Sequence, residues 1–124
     1  MKNLIQTYEN VISESLSKQL IEMFEKYPQH HEDIVLDGHR SFKQVTMQLH
    51  EQWKPFEDTL QEVFFNYIDK YMKDSNVTER MFPQKFAFEN FRLKRYMPND
   101  IDEFDNHVDV GSIDSAPNTI KNIF

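Results

Sequence analysis

The sequence of 124 residues contains no cysteine and no long apolar run, and it has fewer basic than acidic side chains. Without cysteine the chain can form neither a disulfide nor a thiolate metal site, so nothing in it indicates an oxidising compartment. No stretch approaches the ~20 apolar residues that a membrane-spanning helix needs. Residues 1–5 also lack the apolar centre of a signal peptide. These absences predict a cytoplasmic location and no membrane partner.

The charge balance excludes another class of partner. The chain has 14 Lys and Arg against 21 Asp and Glu, which gives a formal net charge of −7. Nonspecific nucleic-acid binding needs a cationic surface that displaces counterions, and anionic membrane surfaces attract the same kind of surface. We therefore expect no nucleic-acid partner and no binding to an anionic membrane surface.

Two stretches have the 3.6-residue period of amphipathic helices. Ser13 is placed to cap the first helix, whose apolar positions run from Leu16 to Tyr27 before a proline ends it. The second helix begins near Pro55 and carries an aromatic-rich stripe as far as Tyr71. We expect this stripe to pack on a sheet.

Strand signals lie between and after the helices. Asp37-Gly38 separates two strand-like arms and predicts a β-hairpin. A further strand is expected over residues 85–96, in which Arg92, Lys94 and Tyr96 share one face. The basic side chains of this strand are expected to be solvated or salt-bridged. The predicted fold class is α+β, with N-terminal helices packed on an antiparallel sheet in a single domain over residues 1–124.

Four histidines precede the last part of the chain, at positions 30, 31, 39 and 50. Adjacent histidines in a polar loop are typical of solvated surface, so His30 and His31 are expected to be exposed rather than to bind a metal. His50 is expected closer to the core, and nothing in its surroundings marks it as a ligand.

The triplet His107-Val108-Asp109 carries the strongest chemical signal. In an extended strand His107 and Asp109 lie on the same face, with Val108 on the other. An imidazole and a carboxylate held side by side are two members of the 2-His-1-carboxylate triad that binds Fe(II). Two other interpretations stay open, a Ca²⁺ loop among the neighbouring acidic residues and a surface salt bridge between His107 and Asp109. The loop lacks the glycine that an EF-hand requires at its sharp turn.

The order Arg95-Tyr96, then Phe104, then His107-Val108-Asp109 resembles the entry into the double-stranded β-helix of the 2-oxoglutarate/Fe(II) oxygenases, in their prolyl 4-hydroxylase-like branch. The resemblance extends along most of the chain, with its specific motifs at residues 91–111. It implies a jelly-roll-like β-helix of which this chain forms the first part. It also implies Fe(II) bound by His107 and Asp109, and a 2-oxoglutarate co-substrate hydrogen-bonded by Tyr96.

The chain departs from the family pattern in two respects. The connection before His107 is slightly longer and lacks the usual glycine, and no histidine follows His107. The distal His ligand and the Arg or Lys that pairs with the far carboxylate of 2-oxoglutarate are therefore missing after the triplet. We expect a chain truncated after the His-x-Asp motif.

Three functional hypotheses follow from these residues. The first is an Fe(II)- and 2-oxoglutarate-dependent dioxygenase that hydroxylates a prolyl or other side chain of a peptide or small-molecule substrate. The second is a catalytically incompetent remnant or fragment that pairs through open strand edges, either with a second copy as a homodimer or with a complementary fragment. The third, an unrelated α+β binding domain with a chance triplet, requires the ordered motifs to be coincidental.

Overall fold

The computed structural model describes residues 3–36, 40–78, 80–83, 85–99 and 101–104.

The first helix begins where the sequence predicts. Helix α1 spans Glu14–Lys26, and the Ser13 hydroxyl accepts a hydrogen bond from the Leu16 N–H at 3.0 Å. This bond satisfies one of the free N–H groups of the first turn, and a short 3₁₀ turn at Pro28–His30 follows the helix. The predicted cap and the predicted end of this helix are confirmed.

The second helix, α2, spans Lys54–Asp74 and has Pro55 in its first turn. Its predicted stripe does not form a buried face, because no side chain of α2 is fully buried. Phe56 and Leu60 pack against the core, whereas Phe64 of the same stripe is 45% exposed. The expectation that the whole stripe packs on a sheet is therefore wrong beyond its first turns.

Four antiparallel strands form one sheet around its second strand. Strand β1 is Glu32–Leu36, β2 is Arg40–Thr46, β3 is Arg92–Arg95 and β4 is Glu103–Phe104. Strand β2 pairs with β1 on one side and with both β3 and β4 on the other. The predicted hairpin is confirmed as β1 and β2, while its turn at 37–39 lies outside the described residues.

The predicted strand over 85–96 is much shorter than expected. Within it, the strand that pairs with β2 is Arg92–Arg95, and residues 85–91 form no strand. The rings of Phe86, Phe88 and Phe91 pack instead on Phe64 and Phe65 of α2, with centroids 4.9–6.0 Å apart. Burial of aromatic rings against the helix thus replaces strand pairing in this segment.

One face of the sheet, which we call the core face, carries Val45 and Leu93 toward α1. The buried residues of this core are Leu20, Phe24, Val45, Met47 and Trp53. Because side chains alternate along a strand, Phe42, Gln44 and Thr46 project from the other side of β2, which we call the opposite face. The architecture is the mixed α+β arrangement that the sequence predicts.

Candidate functional site

The site is built around a loop that leaves the sheet between β3 and β4. Arg95 at the end of β3 stands opposite Lys43, and Glu103 at the start of β4 stands opposite Ser41. The loop 96–102 therefore spans the position of a single residue of β2, Phe42. Strands β3 and β4 follow each other along the same side of β2. In the sequence, the His107-Val108-Asp109 triplet comes three residues after Phe104 of β4.

Two polar side chains close this loop. The Asp102 carboxylate accepts hydrogen bonds from the Met97 N–H at 2.8 Å and from the Ser41 hydroxyl at 3.2 Å. The Asn99 side-chain oxygen accepts from the Ile101 N–H at 2.8 Å and from the Asp102 N–H at 2.6 Å. Together these bonds join both ends of the loop and tie it to β2.

The charge state of Asp102 follows from these contacts. The Met97 N–H lowers the pKa of the Asp102 carboxyl below its ordinary value, and Asn99, Ser41 and the positive charge of Arg95 lower it further. The carboxylate is thus kept ionised, and it accepts the loop hydrogen bonds in its charged form.

Phe42 is the floor of an aromatic cluster on the opposite face. Its ring centroid lies 5.0 Å from that of Tyr96 and 5.9 Å from that of Phe104. The Lys94 ammonium lies 5.0 Å from the Phe42 centroid and 4.6 Å from the Phe104 centroid. We call these four residues the Phe42 cluster. Phe42 is 5% exposed, while Tyr96 and Phe104 are each 41% exposed, so the floor is fixed and its surroundings are accessible.

A hydrogen-bonded polar group continues the opposite face beside this cluster. The Glu32 carboxylate accepts from the Thr46 hydroxyl at 2.6 Å and from the Gln44 amide at 3.1 Å. The Thr46 hydrogen bond lowers the pKa of Glu32, with Gln44 and the charge of Arg92 acting in the same direction. Gln44 and Thr46 are buried, so this group provides satisfied polar contacts and a rigid support for the sheet.

The structure places one of the three predicted site residues. Tyr96 belongs to the Phe42 cluster, at the end of β3. His107 and Asp109 lie outside the described residues. Within the described ranges no group of three His, Cys, Asp or Glu side chains could hold a metal. The donor chemistry of His107 and Asp109 suits Fe(II), because an imidazole nitrogen and a carboxylate oxygen are two of the three donors of the Fe(II)-binding triad.

The expectation of exposed, solvated histidines at 30 and 31 is wrong. His30 is buried, and its ring stacks on that of His50 with centroids 3.9 Å apart. The Trp53 indole N–H donates to His30 Nδ1 at 3.2 Å. His31 stacks on Phe24 at 4.1 Å and its Nε2 lies 2.7 Å from the Phe24 carbonyl oxygen. These rings pack in the core below α1, where their aromatic contacts and hydrogen bonds offset the cost of burying their polar nitrogens.

Burial also sets the protonation state of His30. Desolvation lowers its pKa below the ordinary value of 6.5, and the neighbouring rings of His50 and His31 lower it further. An indole N–H can only donate, so Nδ1 must be the accepting nitrogen of a neutral imidazole. His30 therefore has a structural role here.

The basic residues of β3 divide between the two faces. Arg95 lies toward the core face, where one guanidinium nitrogen is 2.6 Å and 2.8 Å from the two carboxylate oxygens of Glu25. Arg92 lies 3.8 Å from Glu89. The salt-bridged role predicted for these arginines is confirmed, whereas Lys94 contacts the rings of the Phe42 cluster.

Sequence reasoning missed Phe42, Lys94 and Asp102 as parts of the site. The alternation along β2 separates Phe42 from Val45 and could have placed it away from the core. No local signal shows that the loop 96–102 lies opposite Phe42, because that depends on the pairing of β2 with two later strands.

Comparisons with protein families, with curated proteins and with solved structures found no match to this chain. Among the helices of the described residues, none combines the length and the apolar character required to cross a membrane.

Proposed function

We propose that the chain is an Fe(II)- and 2-oxoglutarate-dependent dioxygenase of the prolyl 4-hydroxylase-like type. One observation carries the proposal. Tyr96 and Phe104, which lie at the two ends of the loop before the triplet, both pack on the ring of Phe42. Two of the three ordered motif elements therefore meet on one face of the sheet, and the strand that bears Phe104 leads to the third.

In this proposal the sheet is the first part of a double-stranded β-helix, and the opposite face is the inner surface of its pocket. His107 and Asp109 hold the metal through an imidazole nitrogen and a carboxylate oxygen. The Tyr96 hydroxyl donates a hydrogen bond to the co-substrate. The bound iron and 2-oxoglutarate supply the oxidising chemistry, while the protein supplies orientation and excludes side reactions.

The accessibility of the Phe42 cluster suits a pocket that admits a second molecule. Tyr96 and Phe104 are each partly exposed above a buried ring. Apolar walls with a few oriented polar groups are typical of small-molecule sites. The substrate is a peptide or small molecule with an aliphatic C–H bond near the metal, as a prolyl ring offers.

An anaerobic titration with Fe(II) and 2-oxoglutarate tests this proposal directly. Bidentate binding of the co-substrate to ferrous iron should produce a visible charge-transfer band in the wild-type chain. The band should be lost in His107→Ala and retained in His39→Ala, which removes an imidazole outside the triplet. A wild-type chain without the band, at saturating concentrations of both components, would contradict the proposal.

A second candidate is a chain that completes its sheet with another chain and by itself lacks activity. Among the described strands, β1 and β3 each pair only with β2, so each has one edge without a described partner. An open groove lined by Phe64, Phe88 and Phe91 borders β3. Such an edge beside an apolar groove favours addition of a strand from a second copy or a complementary fragment.

The molar mass in solution separates the two candidates. Sedimentation equilibrium of a monomer that shows the charge-transfer band would support the autonomous enzyme. A dimer that shows the band only in its associated form would support completion by a second copy. A dimer without the band would support the inactive module.

A further inference from the structure

We propose that a cavity between α2 and residues 86–91 binds a small quaternary ammonium ion such as choline. We call it the aromatic cavity. It has a volume of about 250 Å³, and its lining includes Gln48, two residues after the end of β2. The described lining contains no residue of the Phe42 cluster, so the inference does not depend on the proposed function.

Four phenylalanine rings form the apolar part of the lining. They are Phe65 of α2 and three rings of the segment before β3, Phe86, Phe88 and Phe91. The planes of Phe65 and Phe88 differ by 58° with centroids 4.9 Å apart, and those of Phe86 and Phe88 differ by 70° at 5.9 Å. The lining thus combines rings of several orientations. Because the face of an aromatic ring is negative through its quadrupole, such a lining attracts a cation.

Carboxylates give the same cavity a negative charge. Glu57 and Glu89 belong to its lining, and none of the described lining residues is a lysine or an arginine. Glu57 is half-buried on α2, whereas Glu89 is exposed and lies 3.8 Å from Arg92. Lys54, in the turn before Glu57, binds Asp58 at 2.8 Å, and Asp58 raises the pKa of Lys54 more than Glu57 does. We therefore expect Glu57 to contribute most of the charge that a bound cation meets.

The neighbouring groove beside β3 has a different charge. Phe88, Glu89 and Phe91 line both the groove and the aromatic cavity, but Arg92 and Lys94 line the groove as well. Basic side chains repel a cation, so the two depressions differ in the ligand that they favour. This difference places the cation in the aromatic cavity rather than in the groove.

The lining also favours methyl groups over N–H groups on the cation. A primary ammonium has three N–H donors, which lose their hydrogen bonds to water when they meet an apolar wall. A quaternary ammonium has no such donors, and its methyl groups can be buried against the rings while its charge stays near Glu57. The cavity is slightly smaller than the ~300–1,000 Å³ of most ligand pockets, which suits a small ion.

An NMR titration of the whole chain with choline chloride tests the inference, with sodium chloride replaced stepwise so that the ionic strength stays constant. Choline should shift the amide signals of Gln61 and Ala87, two further residues of the lining. The neutral analogue with a tert-butyl group in place of the trimethylammonium group should bind about fivefold more weakly or worse. Ethanolamine, which keeps the charge but has N–H donors, should also bind more weakly than choline.

Two pairs of variants make this result specific. Phe65→Leu keeps an apolar side chain but removes one ring, and it should weaken choline binding about fivefold. Its control is Phe64→Leu, because Phe64 is similarly exposed on the same helix but lines the groove beside β3. Glu57→Gln should also weaken choline binding, whereas Glu62→Gln removes an exposed carboxylate of α2 outside the described lining and should not. Circular dichroism establishes that each variant is folded.

The outcomes separate this inference from the dioxygenase proposal. If choline and its neutral analogue bind equally well, the cavity is only an apolar site and the inference is overturned. Equal weakening by Phe65→Leu and Phe64→Leu would overturn it too, since the ring that lines the cavity would then have no special role. A chain that does not bind choline also contradicts the inference. The charge-transfer band is measured separately, and its presence or absence leaves each of these results unchanged.

Discussion

The two faces of the sheet differ in chemistry although they belong to the same strands. The core face buries Val45 beneath α1, next to Met47 and Trp53, and none of these three exceeds 2% exposure. The opposite face carries an acid with its hydrogen-bond donors and an aromatic cluster that is partly open to solvent. The apolar core is therefore on one side of β2, and the hydrogen-bonded and partly exposed aromatic groups are on the other.

This contrast identifies where each kind of substitution should act. The buried side chains of the core face contact only other parts of the protein, so their loss should appear in the free energy of unfolding. Tyr96, Phe104 and Lys94 of the Phe42 cluster border solvent, so we expect their loss to affect local loop order and any bound ligand more than the free energy of unfolding.

The largest effect is expected from Trp53→Ala. Trp53 is fully buried and donates its indole hydrogen bond to His30, so the substitution removes a large apolar contact and leaves a buried nitrogen unsatisfied. We expect a loss of ~3–5 kcal/mol in the free energy of unfolding, measured by urea denaturation.

Leu49→Ala is the control for this substitution, because Leu49 lies a few residues before Trp53 and is 64% exposed. Its effect should stay within about 0.5 kcal/mol. If Trp53→Ala leaves no folded protein to titrate, Val45→Ala on the core face provides a milder test. Equal effects of Trp53→Ala and Leu49→Ala would contradict the conclusion that the buried core beside the core face carries the stability.

The helices and the hairpin could be predicted because their signals are local. Ser13 caps α1 through a bond to a residue three positions away, and Pro55 occupies the first turn of α2. The Asp37-Gly38 pair lies between two arms that do pair as β1 and β2. Each of these features depends on residues close together in the sequence.

What the sequence could not predict depends on distant contacts. His30 is buried because Trp53 and His50 pack on it from a later segment. The strand before Arg92 is lost because its phenylalanines pack on α2. The family resemblance predicts a role for Tyr96, whereas the position of Phe42 and Lys94 beside it depends on the register of β2.

A smaller effect is expected from pH, acting through His30. Burial lowers the pKa of His30 below 6.5, so the unfolded chain takes up a proton more readily than the folded chain. The stabilising contribution is complete above the unfolded pKa and is lost as pH falls below it. Protonation of Nδ1 would also place a second donor against the Trp53 N–H.

We therefore expect the urea midpoint of unfolding to decrease as the pH falls from about 8 to about 5. His30→Phe keeps an aromatic ring for stacking but removes the titrating group, so its midpoint should depend less on pH over this range. Glu32 has a lowered pKa as well, but it loses its contribution at more acidic pH, below its ordinary value of 4.5. If the urea midpoint of the wild-type chain instead rises as the pH falls, the expected destabilising effect of His30 protonation is contradicted.

The smallest effect on global stability is expected from Asp102→Ala, which acts on the loop beside the Phe42 cluster. The substitution removes the acceptor of the Met97 N–H and of the Ser41 hydroxyl, while the bonds to Asn99 are retained. Amide exchange measured by NMR should therefore accelerate most at Met97 and less at Ile101, with little change in the urea midpoint. Glu103→Ala removes the same charge one position further along the chain and should leave Met97 protected. If Asp102→Ala instead lowers the midpoint as much as a substitution on the core face, the loop would be part of the cooperative core and the two faces would not be separable.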